Sequence, residues 1–367
     1  MIAAFPHYPH GVVPTEYRWK PYSREQVDGV EVIRTFMLPI ESKGLLRRVF
    51  TFVTFILSSL IGLLLVRDVD VVWAANPDIF ALVPGTLYKL VYRCPLIFNV
   101  DDLSMEDVDN LGLMGSGTTA FRLAKILSTA LYRGADAVTP LSPGYFEGIA
   151  KFGVPRSKMH LIRSGVDLEV FRPVEKETSD KFVVAYSGSF SVAYDFDQVI
   201  RAGELLRDAG VEFWIQGKGE QSPRIREAIN ERSLSNVILY DTILTREQVA
   251  EFLGKADSLI LPLKDFNAPY LGISSKLYEY QALGKPIICC SSGNSADYVR
   301  NTGSGLIVAP GDREGLADAV QFLHGNPLEA ERMGRAGKAY VEEHVGVAQI
   351  GEEMRHTLEQ VIAEVAA

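Results

Sequence analysis

Cysteine is scarce: Cys94, Cys289 and Cys290 are the only three in 367 residues, and the last two are adjacent in an apolar run. That spacing excludes a disulfide framework and a zinc pattern, and it fits core thiols in a reducing compartment. Basic residues are also in deficit, with 37 Lys and Arg against 46 Asp and Glu for a net charge of −9. Such a balance excludes the electropositive footprint of a nucleic-acid binder. The opening MIAAFPHYPH has neither a basic start nor an apolar stretch of the needed length, so no secretory signal is visible and a cytoplasmic location is expected. No Gly-x-Gly-x-x-Gly follows a strand with an acid about 20 residues on, which disfavours a simple dehydrogenase. No Ser or Cys nucleophile stands out with a His partner. Asp68 and Asp70 form an Asp-x-Asp pair, but Asp70 opens an apolar strand, so no metal site is assigned.

What is present is 47% hydrophobic sequence, ample for two domains at this length. Apolar strands alternate with amphipathic helices, the pattern of parallel α/β layers. Strands are expected near 1–5, 30–37, 69–75, 95–100, 136–141 and 159–163, then a break at FRPVEKETSDK (171–181), where a proline and clustered charges suit a linker. The alternation restarts at 182–188, with a helix near 195–209, strands at 212–217 and 237–241, a helix at 245–255 and a strand at 258–263. Helices at 327–343 and 347–366 close the chain. The domains are therefore placed at 1–172 and 173–345, with a terminal helix at 346–367.

One run, VFTFVTFILSSLIGLLLV (49–66), is free of charge, with Arg47 and Arg48 before it and Arg67 and Asp68 after it. As a straight helix it would be about 27 Å long, slightly short of a ~30 Å hydrocarbon core. Three readings compete: a helix buried on a sheet, a helix face dipping into a bilayer, and a span. The strand that starts at Val69 argues against the span. Lys43, Arg47 and Arg48 would favour anionic headgroups, and peripheral membrane contact through 45–66 is expected.

The most informative stretch is GISSKLYEYQALGKPIICC (272–290). Ser274 and Ser275 suit an N-cap, Leu277, Tyr280 and Leu283 fall on one apolar face, and Gly284 with Pro286 stops the helix. Lys276 stands in the first turn, where the helix dipole prefers an acid, so a cation there points to an anionic ligand. Glu279 is not the acid of a capping box, since the third helical position is Tyr278, and its carboxylate is left to accept from ligand hydroxyls. The plain alternative is an amphipathic helix with a surface Lys and Glu three apart.

In FPHYPHG (5–11), DGVEVIRT (28–35), VDVVWAANP (69–77), FNVDDL (98–103), GADAVTPLS (134–142), GVDLEVFRP (165–173), IQGKGE (215–220) and SSKLYEYQALGKP (274–286), the chain resembles the family 4 glycosyltransferases of GT-B fold, especially the branch building lipid-linked surface polysaccharides. The resemblance implies two Rossmann-like doubly wound domains facing across a cleft, donor on the second and acceptor on the first. It also implies no cofactor beyond the nucleotide-diphosphate sugar consumed as substrate, a lipid-linked or saccharide acceptor, and retention of anomeric configuration without a metal. A site on the inner face of the plasma membrane would follow.

On that pattern the expected donor site is Gly188, Lys218, Ser274, Ser275, Leu277 and Glu279; Lys276 stabilises the leaving diphosphate, and Asp101 and Asp102 orient an acceptor hydroxyl. His7 and His10 lie on the acceptor side. Each has a plainer reading: GKGE as a strand-to-loop turn, the histidines as loop packing, one aspartate as a cap. The chain departs from the family at Leu271, where a glutamate is usual, in the loop after 188, which lacks the usual Arg and Lys, and at its start. There Pro6, Pro9, Pro14 and Pro21 precede any helix, Met1 and Ile2 read as the tail of a second strand, and the first strand, glycine turn and helix are expected upstream. A nucleotide-sugar 2-epimerase and an inactive paralogue are the rival readings. The base, the sugar, the acceptor and the oligomeric state stay open.

Overall fold

A computed structural model describes residues 1–7, 12–18, 20–38, 45–75, 82–103, 119–174, 180–265 and 272–366. The chain forms two compact units, Met1–Pro140 with Gly148–His160 and His356–Ala367, and Leu141–Glu147 with Leu161–Arg355.

The first unit contains β1 (Ile2–Ala4), β2 (Tyr22–Val27), β3 (Val30–Thr35), α1 (Leu45–Leu64), β4 (Val72–Ala75), α2 (Leu82–Tyr92), β5 (Leu96–Val100), α3 (Thr119–Gly134) and β6 (Ala137–Pro140). Among the described residues its strands make two three-stranded sheets, β1-β3-β2 and β4-β5-β6. β1 runs parallel to β3, and β2 pairs antiparallel through a two-residue turn at Asp28 (φ 50°) and Gly29 (φ 80°). Positive φ at both turn residues is the hairpin geometry that Asp-Gly favours. Sequence reasoning passed over this hairpin because it read the proline-rich opening as loop. The strand expected at 159–163 reduces to a single bridge from Met159 to Val138.

α1 packs on β1 and β3, and no helix among the described residues is long and apolar enough to cross a membrane. The buried face of α1 is built from small and polar residues. Gly62 comes so near the sheet that a Cβ there would lie 3.3 Å from Ile2 and from Thr35. Ser58 Oγ donates to the Phe36 and Phe55 carbonyls, and Ser59 Oγ to that of Ile56. The larger side chains Phe50, Val53, Leu57, Ile61 and Leu64 stand exposed on the other side.

In the second unit six parallel strands take the order β12-β11-β10-β7-β8-β9. These are β7 (Phe182–Ser189), β8 (Val211–Lys218), β9 (Val237–Asp241), β10 (Ser258–Pro262), β11 (Ile287–Cys290) and β12 (Gly305–Val308). Alternation along β7 sends Val184 and Tyr186 into one core with Phe213, Ile215 and Ile260, and Val183 and Ala185 into the other with Leu259, Leu261 and Leu277. The change of unit falls at 160/161 rather than at 172/173. Val166 and Phe171 are buried in the second core, and Val166 bridges to Gly346; of the expected linker 171–181, Phe171 is thus core and 175–179 lie outside the described residues. The three cysteines are free and buried, and burial drives the Cys289 thiol up to about 12.

Helices α4 (Tyr145–Lys151), α5 (Phe196–Leu205), α6 (Ser222–Glu231), α7 (Arg246–Gly254), α8 (Lys276–Ala282), α9 (Gly293–Thr302), α10 (Arg313–Gly325), α11 (Pro327–His344) and α12 (Val347–Ala366) complete the chain. Val361 of α12 packs with Ile97 and Ala137 in the first unit. α8 is anchored through Gln281, whose Nε2 donates to Thr302 Oγ1 (3.0 Å) and Ser304 Oγ (2.9 Å) while its Oε1 accepts from Tyr298 (2.6 Å). All three bonds are lost in Gln281→Leu, which leaves the buried Tyr298 hydroxyl without its acceptor while Thr302 and Ser304 keep their mutual hydrogen bond. Urea unfolding should show a loss of about 2–3 kcal/mol.

Candidate active site

The order of the second sheet reverses direction between β7 and β10, and ligands in such sheets bind beyond the C-terminal strand ends at that reversal. Gly188, next to last in β7, lies there with φ +150°, in register with Gly217 (φ +146°) of β8. A Cβ on Gly217 would lie 1.7 Å from the Gly188 carbonyl oxygen, and one on Gly219 would lie 2.7 Å from the backbone of Phe190. The glycines of GKGE are thus explained by two strand ends closing on each other, and Lys218 between them is exposed. The loop after Gly188 is held by residues that follow β8: Gln221 Nε2 donates to the Ser191 and Tyr194 carbonyls, and Glu220 accepts from Val192 N–H.

Lys276 extends into this corner. A Cβ at Gly188 would fall 2.3 Å from its Nζ, and the ammonium lies 5.7 Å from the centre of the Tyr186 ring. Burial lowers the Lys276 pKa, opposed by the nearby Glu279 carboxylate. Burial raises Glu279, and Lys276 and then Arg246 pull it back down. Among the described residues Lys276 forms no hydrogen bond and no ion pair within 4 Å. Arg246, which also lies 5.5 Å from the Phe171 ring centre, was missed from the sequence. The signal that marks Lys276 was there: a cation in the first turn of a helix, where the dipole disfavours it.

The segment before α8 is positioned by Ser142 Oγ, which accepts from Ile273 N–H, and Ser295 Oγ, which accepts from Ser274 N–H (both 3.3 Å). Ser275 holds the N-cap position in helical geometry (φ −59°, ψ −24°) and makes no side-chain cap, so the capping role read for it is corrected. Leu277 is also corrected as a ligand contact: it is 0% exposed in the core, and its N–H is bonded to the Ser274 carbonyl. Gly284 ends the helix at φ +68°, as its place before Pro286 suggests. Leu271 lies outside the described residues.

In the first unit, Asp101 and Asp102 follow the buried strand β5 at its C-terminal end. Thr139 Oγ1 donates to Asn99 Oδ1 (3.0 Å), and Asn99 Nδ2 donates to Asp101 Oδ1 (2.6 Å), a relay that fixes the Asp101 carboxyl. Burial raises Asp101 to about 6, and Asn99 opposes this. His7 Nδ1 lies 3.0 Å from the Phe5 carbonyl, a local contact of the loop-packing kind. His10 lies outside the described residues. Among the described residues no three His, Cys, Asp or Glu side chains converge in a way that would hold a metal.

The family model described as "Glycosyl transferases group 1" matches residues 167–340, and "Glycosyl transferase 4-like domain" matches residues 4–165. The MMP alpha-(1->4)-mannosyltransferase of Mycolicibacterium hassiacum is 24% identical over 63% of this chain and 56% of its own length. The putative colanic acid biosynthesis glycosyltransferase WcaL of Escherichia coli is 27% identical over 52% of this chain and 48% of its own. The chain thus spans about half the length of these curated relatives. Sucrose-phosphate synthase from Thermosynechococcus elongatus shares the fold at TM-score 0.75 and 19% identity, covering 95% of this chain and 87% of that one. Anabaena Alr3699/HepE in complex with UDP-glucose does so at TM-score 0.66 and 18% identity, covering 88% and 86%.

Because the folded Asp101 holds its proton up to about pH 6 against 3.8 for a free carboxyl, its contribution to stability falls as pH rises through that window. Asp101→Asn should therefore gain more thermal stability over wild type at pH 7 than at pH 4, read from paired melting curves.

Proposed function

The chain belongs to the group 1 glycosyl transferases, with a 4-like domain ahead of the group 1 domain, and on that premise we propose that it moves a sugar from a nucleotide-diphosphate donor to a lipid-linked or saccharide acceptor in cell-surface glycan synthesis. The observation that carries this reading is the Lys276 ammonium, held against Gly188 at the sheet reversal without a hydrogen-bonding partner among the described residues. A donor diphosphate would supply that partner. As the bond from the sugar to the diphosphate breaks, negative charge grows on the leaving oxygen, and a cation already in place stabilises it without reorganisation. Arg246 adds a second positive charge near Glu279, standing in for the basic residues absent from the loop after Gly188. Glu279, whose rise from burial both cations oppose, would accept from nucleotide ribose hydroxyls.

Asp101 and Asp102 are the acceptor-side carboxylates of this reading, supported by the relay from Thr139 and Asn99 at a strand end. Retention of anomeric configuration rests on family membership alone and would be read from the anomeric proton coupling of the product. Peripheral contact of the first unit with a membrane through 45–66 is part of the proposal, supported by the exposed apolar face of α1.

Binding of UDP and of GDP to the purified chain tests the donor site. One nucleotide should bind saturably, and Glu279→Ala should weaken it about tenfold. Lys276→Ala should lower kcat by roughly 10²–10³ with a smaller effect on donor binding. If both variants keep wild-type kinetics, the assignment to α8 fails.

A further inference from the structure

The apolar face of α1 does not end with α1. α2 packs beside α1, and α3 beside α2, within the first unit. α2 exposes Leu87, Leu90, Val91 and Tyr92, and α3 exposes Leu123, Ile126 and Leu127 at helical spacing. Val91 is 71% exposed, Leu90 69% and Ile126 66%, values of solvent-facing side chains rather than of a core rim. Large apolar side chains gathered on neighbouring elements mark an interaction surface.

Charge decides what it meets. The three helices, of 20, 11 and 16 residues, contain no Asp or Glu, although the chain holds 46 of them. Their charged residues are Arg47, Arg48, Lys89, Arg122, Lys125 and Arg133, all positive, and Arg93 follows α2 directly. Lys89 is tied to Asp136, but Arg122, Lys125 and Arg93 are exposed. On α3, Arg122 and Lys125 alternate with the exposed apolar residues, where long stems can lie along an apolar surface with their charges at its edge. Asp68 and Asp70 lie in the connection from α1 to β4, outside the helices. A second copy is a poor occupant, because a two-fold contact would set this all-positive face against itself. An anionic bilayer complements both the apolar stripe and the cations.

We infer that α1, α2 and α3 together form one docking face for a bilayer with anionic headgroups. This deepens the membrane contact proposed above for 45–66 and rests on it; the donor reading, in the other unit, is independent. The test is flotation of the full chain with vesicles of equal parts phosphatidylglycerol and phosphatidylcholine, against phosphatidylcholine alone. The variants are Leu57→Glu on α1, Val91→Glu on α2 and Ile126→Glu on α3, each exposed, with melting temperature as the folding control. Flotation should be stronger with the anionic vesicles, and each substitution should lower partitioning about tenfold. Arg122→Glu with Lys125→Glu should abolish most of the anionic preference. Vesicle binding by a chain that binds neither UDP nor GDP would sustain the face and sink only the donor reading. If Leu57→Glu acts but the α2 and α3 variants float like wild type, attachment is by α1 alone and the three-helix face is wrong. No flotation with either vesicle, or a concentration-dependent dimer dissolved by the same substitutions, would also overturn it.

Discussion

The parallel pairing of β7 with β8 on one side and β10 on the other is the constraint on which the candidate donor site depends. Chain order runs outward in both directions from β7, so the connections after β7 and after β10 leave the sheet on opposite faces and part at their C-terminal ends. Gly188 stands at that parting. Its missing side chain matters twice: the Lys276 ammonium fills the place a Cβ would take, and its carbonyl fills the place a Cβ at Gly217 would take. Replacing Gly217 would move backbone, since the clash there is with a carbonyl, whereas a side chain at Gly188 would first displace the end of Lys276.

From this geometry follows an electrostatic imbalance. A half-buried ammonium without a hydrogen bond is an unfavourable arrangement for an isolated fold, which would gain by moving the amine into water or pairing it directly. Glu279 lies three residues on along α8 and offsets some of that cost, but burial also works against its own ionisation. Two cations against one carboxylate leave the corner positive, and it is preorganised by bonds that have nothing to do with charge: the Gln281 network behind α8 and the Ser142 and Ser295 hydroxyls in front of it. Such support holds the ammonium in place before any ligand arrives.

The second unit was legible because its signals are local and agree. Short β-branched runs, Gly284 before Pro286, and a cation in a first turn each specify one answer, and β9, α11 and α12 lie within a residue of where periodicity puts them. The first unit was harder. The Asp28-Gly29 turn between alternating residues is a strong hairpin signal, yet the prolines around it drew the reading to a loop. Charges after Arg172 look like linker, whereas Val166 and Phe171, buried against strands distant in sequence, already belong to the second core. Ser275 failed as a cap because the chain is already turned at that residue (φ −59°, ψ −24°), whereas a capping side chain needs extended backbone. Arg246 was missed because its relation to Glu279 is made only by folding.

The run 49–66 shows how composition can be right and incomplete. Its hydrophobicity is divided by geometry: Gly62, Ser58 and Ser59 face the sheet, and the bulkier Phe50, Leu57 and Leu64 face away from it. A helix that served only the core would be expected to show the reverse, since large side chains gain most from burial. Small residues inside let α1 lie close to β1 and β3, and that closeness frees the larger residues for the outer surface. α2 is mixed: Leu82, Gly85 and Tyr88 are buried, with Gly85 near Leu96, Val72 and Ala74, while Leu90 and Val91 are exposed. Two neighbouring helices that both hold large apolar side chains out to solvent share a feature that folding of this unit does not impose, and acid-free sequence on both is consistent with one apolar, anionic partner.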